Sequence, residues 1–274
     1  MGRVGRVRTI QADLRVGRFI ATRLNLPGVP MTARIRSIAV LVLLLTTALA
    51  AAGTDPAAPP LTAKQALGAL KAGNDRFARN ASKPMTTSVL RREELAKGQH
   101  PMAMVLSCAD SRVPPELIFN VGLGDLFVIR TAGAVVDRSV LATAEYGATE
   151  LNIPLLVVMG HESCGAVKAA AEAKGPTESA NLEYLLRAIQ AARRQVPTGE
   201  DQQDREDIKA LVLANVEEVI NDTMAKSPVL RKLVAAGKLE VVGGYYELVS
   251  GRVMFSDPVP AVPLPPAPPV VSKK

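Results

Sequence analysis

The chain has 274 residues, of which 48% are hydrophobic and 22% charged, so it can bury a core and is not wholly disordered. Its formal net charge of +7 arises in residues 1–50, which hold eight arginines and one acidic residue and leave 25 basic and 25 acidic residues in the rest. The rest of the chain is therefore formally neutral, and the whole chain has only 3% aromatic residues and no Trp. We expect no nucleic-acid partner.

Residues 1–52 have the order of features that is typical of a secretory signal peptide. Arg34 and Arg36 precede an uncharged, mostly apolar stretch over 38–52, and a small-x-small site lies within it at 48–50. The stretch is shorter than the about 20 apolar residues that a transmembrane helix needs. We therefore expect export, to the bacterial periplasm, with no stable membrane span after the signal peptide is cleaved.

Alternatives for this segment stay open. An uncleaved membrane anchor would have the same apolar stretch. An organelle transit peptide is also compatible, since residues 1–36 are rich in Arg and poor in acids. Met31 would begin a more ordinary signal peptide than Met1, so residues 1–30 can be an upstream extension that follows from a misassigned start.

The rest of the chain divides into three parts by composition. A Pro/Ala linker covers residues 53–60, and the folded body covers 61–256. Residues 257–274 contain seven prolines, which predicts an extended, solvated tail without packed structure.

The first half of the body predicts helices alternating with strands. Thr62 is a suitable N-cap for an amphipathic helix over 61–80. Short apolar runs predict buried strands at 102–106, 126–129 and 155–159. A helix over 139–151 separates the last two, and a strand–helix–strand order implies parallel pairing with right-handed crossovers.

The second half continues with helices and ends with strands. Helices are predicted at about 166–173, 180–195 and 204–225. Strands are predicted at 239–242 and 245–249, with a break at Gly243-Gly244, and a turn at 250–251 leads into a hairpin strand at 252–255. The fold class is therefore α/β: a mostly parallel central sheet flanked by helices, with an N-terminal helical arm and an antiparallel edge strand.

Two of the predicted strands are followed directly by residues of the types that commonly bind metals. Cys108 and Asp110 follow the strand at 102–106, and in extended chain residues two apart face the same way. His161 and Cys164 follow the strand at 155–159, three apart across a strand end and the first turn of a helix. In open parallel sheets, ligands bind beyond the carboxyl ends of the strands, so we expect these side chains to share a site.

These four side chains offer two thiolates, one imidazole and one carboxylate, which is a ligand set suited to zinc. A disulfide between Cys108 and Cys164 is the serious alternative, because an exported protein meets an oxidising compartment. A disulfide, however, gives no reason for His161 and Asp110 to lie at their offsets.

The motifs resemble those of a known family. The run Cys108-Ala109-Asp110-Ser111-Arg112, followed later by His161-x-x-Cys164-Gly165, is similar to the β-class carbonic anhydrases. The resemblance covers roughly residues 61–256 and includes the segment at 73–77 and the pair Glu145-Tyr146.

This resemblance implies one Zn²⁺ per subunit, bound by Cys108, His161 and Cys164, with water or Asp110 in the fourth position. It implies reversible hydration of CO2 to bicarbonate and a proton by zinc-bound hydroxide. An Asp110–Arg112 dyad would assist as the catalytic pair. If that pair breaks, Asp110 can ligate zinc and block the site, so an open and a closed state are both possible.

The resemblance also implies roles around the metal. Gln99 would hydrogen-bond the substrate, Phe127 and Tyr146 would line an apolar pocket, and Gly165 would present its backbone N–H. It implies a homodimer or a higher homo-oligomer in which the first helix packs on the partner. The alternative for that helix is docking on its own domain.

Two other functions remain open from the residues alone. One is hydrolysis of COS or CS2 on the same zinc site, since the metal chemistry would be similar. The other is a non-catalytic scaffold stabilised by zinc. Asp110 with Arg112 argues against the scaffold, because a structural zinc site needs no carboxylate–guanidinium pair beside the metal.

Overall fold

A five-stranded sheet forms the centre of the computed structural model, which describes residues 61–193 and 205–260. Its strands are β1 (Ala103–Cys108), β2 (Leu126–Thr131), β3 (Leu155–His161), β4 (Glu240–Tyr246) and β5 (Val253–Phe255). The order is β2-β1-β3-β4-β5, with four parallel strands and β5 antiparallel to β4 at one edge. The predicted α/β fold with an antiparallel edge strand is confirmed.

Helices connect the strands and cover the sheet. They are α1 (Ala63–Ala78), α2 (Val89–Leu95), α3 (Pro115–Ile118), α4 (Arg138–Thr149), α5 (Gly165–Glu172), α6 (Ala180–Arg193), α7 (Arg205–Lys226) and α8 (Pro228–Ala235). A 3₁₀ turn, Ala132–Ala134, follows β2. As predicted, Thr62 caps α1, and with Gln65 it forms a capping box that satisfies the first amides of the helix.

Apolar side chains from the helices cover both faces of the sheet. One core layer joins β1, β3 and β4 to α4, α7 and α8. The other layer joins the same strands to α1 and α3. Because the central strands are buried on both faces, they are continuous apolar runs, which explains why the sequence pattern located them.

The strand order creates a crevice at the carboxyl ends of two central strands. From β1 the chain passes to β2 on one side, and then crosses back to β3 on the other side of β1. The winding therefore reverses between β1 and β3, which makes a crevice beyond their carboxyl ends. Cys108 and His161 are the last residues of these two strands.

The structure departs from the sequence prediction at Gly243-Gly244. The predicted break there is wrong, since both glycines lie inside the continuous strand β4. A Cβ at Gly243 would approach Val216 of α7 to 3.1 Å, so a small residue lets the helix pack closely on the strand. The short helices α2, α3 and α8 were not among the predicted elements.

Helix α1 packs on its own domain. Its Ala66 and Leu70 are fully buried in the layer beneath the sheet. Asn74, also buried, donates to the carbonyls of Ile118 and Gly251 and accepts from the amide of Val253. Within one chain, α1 therefore docks on its own domain, and the expected packing on a partner stays a prediction.

The predicted signal peptide and linker at 1–60 lie outside the described residues, as do 194–204 and 261–274. Across the described ranges, the structure contains no helix of the length and apolar character needed to span a bilayer. The first residues of the predicted tail still contact the domain, since the Val259 amide donates to the Val241 carbonyl at 2.8 Å.

Candidate metal centre

Three buried side chains converge beyond the switch point of the sheet. Cys108 ends β1, His161 ends β3, and Cys164 occupies the N-cap of α5. Ser163 adopts a left-handed conformation with φ of 54°, which turns the chain sharply between β3 and α5. The exposed fractions of Cys108, His161 and Cys164 are 5%, 0% and 3%.

The geometry of the three side chains fits a shared ion. The two sulfurs and a ring nitrogen of His161 lie within 4.8 Å of one another. Both cysteines are free, so the structure does not contain the alternative disulfide. The predicted convergence of the two motifs is therefore present as a Cys-His-Cys group that can bind a metal.

The His161 ring is oriented for ligation by one nitrogen. Its Nδ1 lies 2.9 Å from the carbonyl oxygen of Glu162, an acceptor, so Nδ1 carries the proton and donates. Nε2 then carries the free lone pair, and it is buried with no hydrogen-bond partner among the described residues. A buried, unpaired acceptor beside two thiols fits a metal ligand better than a structural histidine.

Asp110 lies beside this group and is paired with Arg112. Arg112 donates to both carboxylate oxygens, from Nε at 2.9 Å and from its terminal nitrogen at 2.8 Å, and its backbone amide adds a third bond at 2.9 Å. These hydrogen bonds, above all those from the guanidinium, lower the pKa of Asp110 to about 2. Asp110 is therefore ionised at neutral pH, with Oδ2 at 3.8 Å from Nε2 of His161.

Arg112 also joins the two motifs. Its terminal nitrogen lies 3.3 Å from the carbonyl oxygen of Ser163, in the turn before Cys164. One guanidinium thus holds the carboxylate of the first motif and the backbone of the second.

The pKa values of the two thiols shift in opposite directions, because the proton of Cys164 favours a thiolate at Cys108. The hydrogen bond with Cys164, aided by His161 and nearby backbone groups, lowers the pKa of Cys108 to about 4 against the effect of burial. The same hydrogen bond, together with burial, raises the pKa of Cys164. A divalent cation binding both sulfurs would displace this proton, since the thiolate is the metal ligand.

Sequence reasoning missed two groups that hold the Cys108 loop. Arg130 on β2 donates to the carbonyls of Cys108 and Asp110, at 2.9 and 2.6 Å. The amide of Gly133 lies 3.3 Å from the Cys108 sulfur and donates to it. A charged residue interrupting the apolar run of β2 was the available signal for Arg130, whereas a backbone amide leaves no signal in the sequence.

The predicted substrate groups lie at two different places. Gly165, the first residue of α5, is exposed directly beside Cys164, with open space around it. Phe127, by contrast, pairs with Met104 near the start of β1, and the Tyr146 ring lies 6.3 Å from the Phe127 ring. Gln99 precedes β1 altogether.

Within one chain, Gln99, Phe127 and Tyr146 are therefore remote from the metal-binding group. Cys108 pairs with Thr131, four residues beyond Phe127, which corresponds to roughly 13 Å along a strand. Tyr146 is 50% exposed at this opposite end of the sheet. The chain brings together the Cys-His-Cys group, Asp110, Arg112 and Gly165, and leaves the other three predicted site residues apart.

Comparison with known proteins identifies the family. Residues 103–253 match the family model described as carbonic anhydrase. A protein named carbonic anhydrase 2 from Mycobacterium tuberculosis is 40% identical over 195 residues, which cover 69% of this chain and 90% of that protein. A carbonic anhydrase of Mycolicibacterium smegmatis is 37% identical and covers 68% of this chain and 89% of its own length.

Solved structures agree with the sequence relatives. The β-carbonic anhydrase of Coccomyxa in complex with acetazolamide superposes with a TM-score of 0.57 at 27% identity, covering 70% of this chain and 87% of that one. One of two tetrameric β-carbonic anhydrases from Sordaria macrospora gives a TM-score of 0.54 at 25% identity, covering 70% and 96%. Together with the Cys-His-Cys group at the switch point, these matches show that the chain belongs to the β-carbonic anhydrase family and is a carbonic anhydrase.

Proposed function

We propose that this protein binds one zinc ion per subunit through Cys108, His161 and Cys164 and uses it for the reversible hydration of CO2 to bicarbonate and a proton. The observation that carries the proposal is the buried Nε2 of His161, which has no partner among the described residues and lies in a group with two free thiols. Without an ion, this nitrogen would lose its hydration on burial without gaining a hydrogen bond of normal geometry.

The donor set favours zinc over other common divalent ions. Soft thiolates and imidazole suit zinc, whereas magnesium and calcium prefer oxygen ligands. When bound, zinc lowers the pKa of a coordinated water to about 7, as in carbonic anhydrases with three histidine ligands, and so supplies hydroxide near neutral pH.

Asp110 and Arg112 prepare the position next to the ligands. Arg112 holds both carboxylate oxygens, so Asp110 is kept ionised and points a proton acceptor, Oδ2, toward the edge of the metal group. For Asp110 to become a ligand, it would have to give up its bonds to Arg112. The paired geometry therefore favours the open state, in which the fourth position is left for water.

The substrate side of the site has one group from the same chain. The exposed amide of Gly165 stands at the N-terminus of α5, where backbone N–H groups and the helix dipole favour an anion such as bicarbonate. CO2 itself is apolar, so its binding site needs apolar side chains. Within one chain, Phe127 and Tyr146 are too far from the metal-binding group to provide them.

We infer that a second copy of the chain supplies the missing wall, so that the protein acts as a homodimer or a higher homo-oligomer. Gln99, Phe127 and Tyr146 lie at the opposite end of their own sheet, and only another subunit can bring such groups to the metal. Tyr146 is half exposed, as a residue that meets a partner would be in an isolated chain. The tetrameric relative from Sordaria macrospora supports this assembly.

We also propose export to the bacterial periplasm, with cleavage of the signal peptide before the linker at 53–60. The support is the basic, apolar and small-x-small order of residues 34–50. N-terminal sequencing of the mature protein tests it, and a mature end before residue 45 would contradict cleavage at this site.

The enzyme assay separates the proposed function from its alternatives. Purified protein should contain about one zinc per subunit, lose CO2 hydration in stopped-flow assays after chelation, and regain it when zinc is added. Zinc binding without CO2 hydration would indicate the scaffold. Turnover of COS or CS2 in place of CO2 would indicate the hydrolase.

A further inference from the structure

Among the described side chains of helix α7, Asn215 is a buried amide on a mostly apolar face. Asn215 is 4% exposed, and its neighbours on the inner face of α7 are Leu211, Val212, Val216 and Val219. Burying an amide among such residues is costly unless its hydrogen bonds are made. Its Nδ2 donates to the carbonyl oxygen of Gly133 at 2.8 Å, which links α7 to the 3₁₀ turn after β2.

The turn that Asn215 holds is the one that touches Cys108. Gly133 accepts from Asn215 with its carbonyl and donates to the Cys108 sulfur with its amide, at 3.3 Å. Asn215 and Cys108 are thus joined through the two ends of a single residue.

The turn needs such support because its backbone is in an uncommon conformation. Gly133 has φ of 66°, and the next residue, Ala134, has φ of 57°, a region that side-chain-bearing residues rarely adopt. A side chain at Gly133 would meet Ile189 at 2.7 Å, so the turn is also enclosed. A conformation of this kind persists where surrounding contacts determine it.

We propose that Asn215 is a positioning residue for the metal centre: by holding the Gly133 carbonyl, it aims the Gly133 amide at the sulfur of Cys108. The inference rests on the proposed function, in which Cys108 is a zinc ligand. An N–H group directed at a thiolate withdraws charge from the sulfur and fixes its orientation. Removing Asn215 leaves a more electron-rich, less oriented ligand.

The test uses the full chain loaded with Co²⁺, whose thiolate charge-transfer absorption reports on the sulfur directly. Asn215→Leu keeps a side chain of similar size and removes the donor. We expect its charge-transfer band to move to longer wavelength and its release of Co²⁺ to a chelator to accelerate roughly 10-fold, the low end for residues that support metal ligands. The pH profile of CO2 hydration on the zinc form should shift to higher pH.

Thr223→Val is the matched control on the same helix. Thr223 is 1% exposed, and its hydroxyl donates only within α7, to the Val219 carbonyl at 2.7 Å. This variant also removes a buried hydrogen bond, so it should lower thermal stability while leaving the band, the release rate and the pH profile unchanged.

Equal behaviour of the two variants, with stability lowered and the spectrum unmoved, would overturn the proposal and make Asn215 a packing residue. Should Asn215→Leu fail to fold, Asn215→Ser, which shortens the donor, carries the same expectation and the same refutation. A wild-type protein that binds neither Co²⁺ nor zinc would instead refute the proposed function together with this inference.

Discussion

The two ends of the β-sheet differ in how complete they are within one chain. At the carboxyl ends of β1 and β3, buried thiols, an oriented imidazole and a paired carboxylate lie together. At the amino ends, Phe127 and Tyr146 form a ring pair that is partly exposed and far from those groups. Strand order alone assembles the first end, whereas in the proposed assembly the second end would reach a metal group only through another copy.

The difference follows from the topology. A reversal of winding between two adjacent strands necessarily makes a crevice at their carboxyl ends, and residues just after those strands enter it. This reversal does not bring the amino ends of the strands together in the same way. The experiments below address the two ends in turn, beginning with the largest effect.

Removing a ligand at the carboxyl end should abolish the reaction. We expect His161→Gln to lower zinc content to well below one per subunit and to lower CO2 hydration by at least about 10³-fold, because the ion supplies the nucleophile. Metal analysis and stopped-flow kinetics measure the two effects.

The chain offers a matched control in its other histidine. His100 is exposed and lies outside the Cys-His-Cys group, so His100→Gln should leave the zinc content unchanged. Retention of zinc and activity in His161→Gln would contradict the ligand assignment.

The carboxyl end was the more predictable of the two from sequence. Apolar runs located the three central strands, and the motifs that follow them indicated which side chains would meet. The prediction failed where packing between elements distant in sequence determines the local structure. The break expected at Gly243-Gly244 follows local glycine rules, but both glycines lie inside β4, and at Gly243 the close approach of Val216 requires a small residue.

The position of the substrate groups was equally hidden from sequence reasoning. The resemblance assigned Gln99, Phe127 and Tyr146 to the site, but only the strand register reveals that they lie at the far end of their own chain. Arg130 and Gly133 act on Cys108 through backbone groups, and backbone contacts of this kind depend on three-dimensional placement.

The carboxylate beside the metal group gives the next largest effect. We expect Asp110→Asn to retain zinc and to lose roughly 10²- to 10³-fold in the rate of CO2 hydration, since a neutral amide cannot accept the proton. Kinetics and metal analysis on the same sample separate this loss from a loss of zinc.

The pH dependence sharpens the assignment of Asp110. Its pKa is lowered from 3.8 to about 2, so no titration of Asp110 should appear in the activity profile near neutral pH. A lowered pKa in the folded state stabilises the fold above the unfolded value, and this contribution is lost as pH falls from about 4 towards 2. In Asp110→Asn, the free energy of unfolding should therefore fall less steeply between about pH 4 and about pH 2 than in the wild type. An identical slope in both proteins would contradict the pairing with Arg112.

Subunit mixing tests whether the amino end serves a partner. We expect Gln99→Ala to lose about 10-fold in activity, the effect of one missing hydrogen-bond donor near the substrate. Cys164→Ser should lose its metal. Heterodimers of the two variants, isolated through two different tags, should regain about half of the wild-type activity, because one of their two sites combines an intact metal end with an intact amino end.

The same mixture distinguishes the alternatives. If Gln99 acts within its own chain, the heterodimer contains no intact site and gains nothing over Gln99→Ala. A matched pair in which both subunits carry both substitutions should be inactive in either case. Purification of the protein as a monomer would contradict the proposed assembly outright.

The smallest expected effect is on the free energy of unfolding, through a buried hydroxyl at the carboxyl end of β1. Ser107, one residue before Cys108, is fully buried, and its hydroxyl has no hydrogen-bond partner among the described residues. It lies on the same face of β1 as Val105, which packs in the layer beneath the sheet. Because an unpaired buried hydroxyl costs free energy, Ser107→Ala should raise the free energy of unfolding by about 1 kcal/mol, measured by denaturant titration, without changing activity.

Val105→Ala, two residues away, should do the opposite and lower the free energy of unfolding by about 2 kcal/mol through lost packing. Destabilisation by Ser107→Ala would mean that its hydroxyl is bonded, for example to a buried water, and that the carboxyl end carries no such cost.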